Sequence, residues 1–122
     1  MIPYKQLLPD NCVQVSIAAI LDLPLENVPH FLYMLETPEK WVLALRQWLY
    51  NFSIDLVRHD GHFPVSGMYL VTGKSQRNTR HMVIYQSGRL LHDAHPDGTG
   101  LISIDSTYLL LPYNPSILLI KP

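Results

Sequence analysis

The chain has 122 residues, 48% of them apolar, with nine basic and ten acidic side chains and a formal net charge of −1. That length holds one core and not two of ordinary size, so a single domain over 1–122 is expected. The balanced charge, without any run of Lys or Arg, excludes the electrostatic footprint of a nucleic-acid binder or of a protein held on an anionic membrane.

No segment approaches the ~20 apolar residues of a membrane span, and the first residues lack the apolar stretch of a signal peptide, which points to a cytoplasmic protein. The single cysteine, Cys12, has no partner within the chain for a disulfide. Its thiol is available for chemistry or for packing.

From Asn11 to Leu21 the sequence is apolar on nearly every side and free of Gly and Pro, the pattern of a helix packed in the middle of a domain. Asp10 or Asn11 is expected to cap it. Cys12 then stands at the positive end of the helix dipole, a position that favours a thiolate. Pro24 stops this helix, and Leu25–Val28 with Phe31 and Leu32 suggests a short second one restricted by Pro29. Thr37-Pro38 opens a third, in which Trp41, Leu45, Trp48, Leu49 and Phe52 recur at three- and four-residue spacing.

After Asn51 the pattern changes to short β-type runs: Ile54–Arg58, Gly67–Thr72, His81–Gln86, Arg89–His92, Leu101–Ile104, Tyr108–Leu111 and Ser116–Ile120. Ser87-Gly88 predicts a tight hairpin that leaves His81 and Asp93 at adjacent strand ends. Loops are expected at Asp60–Pro64, Lys74–Arg80 and Ala94–Gly100, around a site. The class is α+β: a central Cys-bearing helix and one or two others on an antiparallel sheet of about five strands.

Thiol catalysis requires a thiolate, a base, a group that fixes the base, and donors aimed at a developing oxyanion. Cys12, His81, Asp93 and Gln6 supply one candidate for each. His81 can exchange a proton with the thiol, Asp93 can hold the other ring nitrogen, and the Gln6 amide with the Cys12 backbone N–H can donate to the oxyanion. Singly, each has a plainer explanation: an inert buried thiol, a strand-end histidine, a turn aspartate, a solvated glutamine near a terminus. The ordered set outweighs them.

Gln6 six residues before Asn11-Cys12 at a helix start, followed by a strand His and a later acidic residue, resembles the papain-like cysteine peptidases. The similarity is greatest to compact bacterial members, such as bacteriocin-processing peptidase domains, and to small bacterial and phage proteins of this kind. Leu-Pro-Leu-Glu-Asn-Val-Pro-His-Phe at 23–31 and His-Asp-Ala-His-Pro at 92–96 carry the latter. Two positions depart: Val13 follows the cysteine where a small or aromatic residue is common, and Ala94 stands where the bacteriocin-processing type has Pro.

The resemblance implies a papain-like fold and a Cys12–His81–Asp93 triad with Gln6 in the oxyanion hole. It implies hydrolysis of a peptide or isopeptide bond in a peptide or protein substrate, with no cofactor. Asn11 and His95 are expected to contact that substrate, with His92 on the rim of the site. The same machinery serves transfer to an amine, and a papain-like scaffold with an idle triad serves as a binding or inhibitor protein. The pairs His59/His62 and His92/His95 have ligand-like spacing, but residues three apart on a strand point to opposite faces, so no metal site is expected. Trp41 and Trp48 are assigned to the core.

Overall fold

The computed structural model describes residues 1–6, 11–29 and 38–113. Helix α1 spans Cys12–Leu21 and α2 spans Pro38–Tyr50. The strands are β1 (Ile54–Asp60), β2 (Met68–Ser75), β3 (Arg80–Gln86), β4 (Arg89–His92) and β5 (Leu101–Pro112). They form one antiparallel sheet in the order β1-β5-β2-β3-β4. The expected α+β class is the one observed. Among the described residues no helix is long and apolar enough to cross a membrane.

An all-round apolar helix is stable only where every side is covered, and α1 meets that condition: Val15, Ile17, Ala18 and Ala19 are fully buried. It lies over β3, to which Ser16 Oγ donates at the Met82 carbonyl (3.4 Å), while α2 packs on β1. Ile2 N–H donates to the Ala19 carbonyl (3.0 Å) and Tyr4 O–H to the Leu23 carbonyl (2.9 Å), so the first residues run along α1. The helix ends one turn before Pro24. Asp22 adopts the left-handed conformation (φ 56°, ψ 39°), returning its N–H to the last turn.

Between the helices and the sheet lies the main core. Trp41, Leu45 and Leu49 of α2 meet Ile54, Leu56, Tyr108 and Leu110 there. Each such side chain removed from water contributes about 1.5–3 kcal/mol. The opposite sheet face buries Tyr69, Val71 and Val83, with Val65 from the loop after β1 packed against them.

Several sequence expectations change here. Leu25–Val28 makes only a 3₁₀ turn, Leu25–Asn27. The runs Leu101–Ile104 and Tyr108–Leu111 are one strand. The turn-forming residues Asp105, Ser106 and Thr107 between them stay extended because β5 pairs on both sides, with β1 and with β2. A bulge accommodates them. β2 runs on to Ser75, which shortens the loop expected at Lys74–Arg80, and β1 reaches Asp60. Asn11 precedes α1 without capping it: its side chain makes no cap bond, and its Nδ2 turns to Gln14 Oε1 (3.4 Å). Asp10, Phe31, Leu32, Thr37 and the run Ser116–Ile120 lie outside the described residues.

Ser87 and Gly88 both have positive φ (50° and 88°), which is the two-residue hairpin that the sequence predicts between β3 and β4. Gly73 is required for another reason. A Cβ there would lie 1.9 Å from the Ser103 carbonyl oxygen of β5, at the bulge, and Gly73 pairs directly with His81. Gly73→Ala is expected to force β2 and β5 apart and lower stability by about 2 kcal/mol or more, measured by urea unfolding.

Candidate active site

Cys12 is the first residue of α1, 8% exposed, and its N–H belongs to the turn that has no intrahelical acceptors. His81 enters from β3. Its Nε2 lies 2.6 Å from Asp93 Oδ1, with both side chains almost wholly buried. With Nε2 committed to the carboxylate, Nδ1 remains for the thiol. Burial opposes the imidazolium, but bonding to Asp93 and the adjacent Cys12 outweigh it and raise the His81 pKa to about 9.

Asp93 is itself fully engaged. Oδ1 also accepts from the His95 N–H (2.9 Å), and Oδ2 accepts from the Gly100 N–H (2.8 Å). Burial alone would raise its pKa; the bonds from His81, His95 and Gly100 instead lower it to about 2. Gln6 is 4% exposed and not solvated, and its backbone N–H donates to Ala94, the residue after Asp93 (2.7 Å). Gln6 Oε1 and Asn11 Oδ1 are buried without a hydrogen-bond partner among the described residues.

The structure therefore brings Cys12, His81 and Asp93 into one chain of contacts and ties Gln6 to the loop that carries Asp93. The His95 ring stands edge-on to the His81 ring at 6.1 Å, beside the site. His92 serves the fold instead, with Nε2 against the Tyr4 carbonyl (2.7 Å). His62 lies at Tyr69 Oη (3.0 Å) and His59 against the Phe63 ring, so neither histidine pair converges. Among the described residues no three His, Cys, Asp or Glu side chains are placed to hold a metal ion.

A cavity of about 200 Å³ opens beside Cys12 and His81. Its wall comes from both helices and from four strands, not from the loops after β1 and β4 that were expected to surround a site. Trp41 lines it as well as joining the core, its ring 5.3 Å from that of Tyr108. Arg58, Thr72, Arg80, Ser106 and Tyr108 are cavity residues that sequence reasoning missed. One signal was present: Arg58 continues the alternation Ile54, Leu56, so it stands on the core-facing side of β1.

The titrations of His81 and Asp93 have opposite signs. The raised His81 pKa contributes stability that is complete below its ordinary 6.5 and lost as pH rises through about 9. The lowered Asp93 pKa contributes stability that is complete above its ordinary 3.8 and lost as pH falls through about 2. Urea unfolding is expected to show maximal contribution of the pair between those ordinary values. His81→Ala, which strands a buried carboxylate, is expected to cost about 3 kcal/mol or more there and to remove the alkaline limb.

No family model, no curated protein and no solved structure matches the chain.

Proposed function

We propose that the protein is a cysteine-dependent hydrolase of the papain-like kind, cleaving a peptide or isopeptide bond through a thioester on Cys12. The observation that supports this reading is the buried order Cys12, His81, Asp93, with the imidazole held at Nε2 and its other nitrogen left for the thiol. An inert packing cysteine has no need of a charged, carboxylate-held imidazole beside it.

The steps follow from that order. The thiolate attacks the substrate carbonyl, and the oxyanion forms between the Cys12 N–H and the Gln6 side-chain amide. His81 gives its Nδ1 proton to the departing amine as the C–N bond breaks. Part of what raises the His81 pKa is the neighbouring Cys12, and that contribution vanishes once the sulfur is esterified. The ring is then a stronger acid for the leaving group and, having lost its proton, a base for water. Water adds to the thioester, His81 takes its proton, and collapse releases the acid and restores the thiolate–imidazolium pair. Asp93 stays ionised throughout and keeps the ring oriented.

Three measurements test this. Mixing with a p-nitrophenyl ester is expected to give a burst of nitrophenolate and an acyl adduct on Cys12 detectable by mass spectrometry, both absent in Cys12→Ala. His81→Ala is expected to slow alkylation of the native thiol by iodoacetamide at pH 7 by roughly tenfold or more. With peptide substrates, turnover is expected to decline as pH rises through about 9, where His81 loses its proton. A thiol that reacts only after unfolding would sink the proposal and leave a binding role on the same scaffold; an amide product in the presence of added amines would turn hydrolysis into transfer.

A further inference from the structure

The core-facing rows of three adjacent strands change character at one end of the sheet. On β1 the row reads Ile54, Leu56, Arg58; on β5, Leu110, Tyr108, Ser106; on β2, Leu70, Thr72. Register aligns the change: Arg58 is opposite Tyr108, and Ser106 opposite Thr72. The sheet face that is oily beneath the helices thus becomes cationic and hydroxyl-bearing where it reaches the thiol. Arg58 and Arg80 both line the cavity, and among the described residues no carboxylate does.

The two guanidiniums are tethered but not used up. Arg58 donates from Nη2 to Ser106 Oγ (2.9 Å) and from Nη1 to Asp60 (3.0 Å), a carboxylate 86% exposed. Arg80 meets Asp105 (3.0 Å), also toward solvent. Such exposed pairs are worth little, ~0–1 kcal/mol, so an incoming anion competes with them easily. A guanidinium fixed by a hydroxyl next to an aromatic wall is suited to a planar carboxylate, which it grips through two parallel bonds. At about 200 Å³ the space is below the ~300–1,000 Å³ of drug-sized pockets and takes one short substituent.

We infer that this cavity is the specificity pocket of the proposed thiol site and that it selects a substrate carrying a carboxylate near the attacked carbonyl, with Arg58 as its ionic partner and Trp41 and Tyr108 as its walls. The inference rests on the cysteine-hydrolase reading, and its test separates the two.

The native protein and Arg58→Gln, Arg58→Lys and Arg80→Gln variants are alkylated in parallel with anionic iodoacetate and neutral iodoacetamide, and the ratio of the two rates at Cys12 is compared. His81 contributes equally in all of them, so a change in ratio reports the arginine. Arg58→Gln is expected to lower the iodoacetate:iodoacetamide ratio by roughly three- to tenfold, Arg58→Lys to keep most of it, and Arg80→Gln, farther toward solvent, to lower it less. N-acetyl-aspartic acid α-amide and N-acetyl-alanine, added as protectants against iodoacetamide, then distinguish a side-chain carboxylate from a terminal one. If Cys12 reacts rapidly and with dependence on His81 but the ratio moves by less than about twofold in every arginine variant, and neither protectant slows it, the pocket inference is overturned while the thiol chemistry stands. If Cys12 is inert to both reagents in native protein, the hydrolase reading falls and the inference with it.

Discussion

A buried carboxylate tolerates no vacancy in its hydrogen bonds, and Asp93 imposes that constraint on everything around it. Its two oxygens are met by a ring nitrogen of β3 and by backbone N–H groups of His95 and Gly100, which bend the chain between β4 and β5 back onto itself. The same loop receives the Gln6 N–H at Ala94. One desolvated charge therefore joins the first residues of the chain, the β3–β4 hairpin and the start of β5, and it does so at the point where α1 begins. Desolvating a carboxylate costs several kcal/mol unless such partners are supplied, so these segments move together or not at all.

The helix supplies the complementary half. Because α1 is apolar all round, its position is fixed by coverage on every side, and Cys12 inherits that rigidity at the first turn. The bulge at Gly73, the register partner of His81, shifts the pairing of β2 with β5 beside the site. Bulges turn strands and re-aim side chains. Arg58, Thr72 and Ser106, which follow the apolar residues on the core-facing rows of β1, β2 and β5, line the cavity.

The features legible in the sequence are those that depend on local pattern. The period of α1, the spacing of Trp41, Leu45 and Leu49, and the Ser87-Gly88 turn each announce their element, and the turn, together with the irregularity between Ile84 and Tyr85, brings His81 toward Asp93. What was illegible depends on pairing between distant segments. Asp105-Ser106-Thr107 has the composition of a turn and is extended because two neighbours pair with it. Asn11 has the composition of a cap and makes no cap bond. Gln6, as a polar residue near a terminus, suggests solvent exposure; it is buried where its N–H meets Ala94 in the loop that carries Asp93. Trp41 was legible as core but not as cavity wall, since a single ring spans both. Cys12 at a helix start and His81 and Asp93 at two strand ends could be read as neighbours, whereas the arginine-bearing wall follows from alternation within β1 and from register that no single strand reveals.

The two unpartnered oxygens bear on whether this arrangement serves the fold or something beyond it. A buried polar atom without a partner costs ~1–3 kcal/mol, and native structures hold few of them. Among the described residues both belong to carboxamides near Cys12 in the chain, Gln6 and Asn11, one six residues before it and the other adjacent to it. A chain selected for stability alone would place an apolar residue or a paired one at each position. Both residues are only 4% exposed and neither lines the cavity, so these oxygens are a cost that the fold carries in the chain around Cys12. The cost falls on chain positions around Cys12, near the carboxylate-held imidazole, and is not spread over the rest of the described residues.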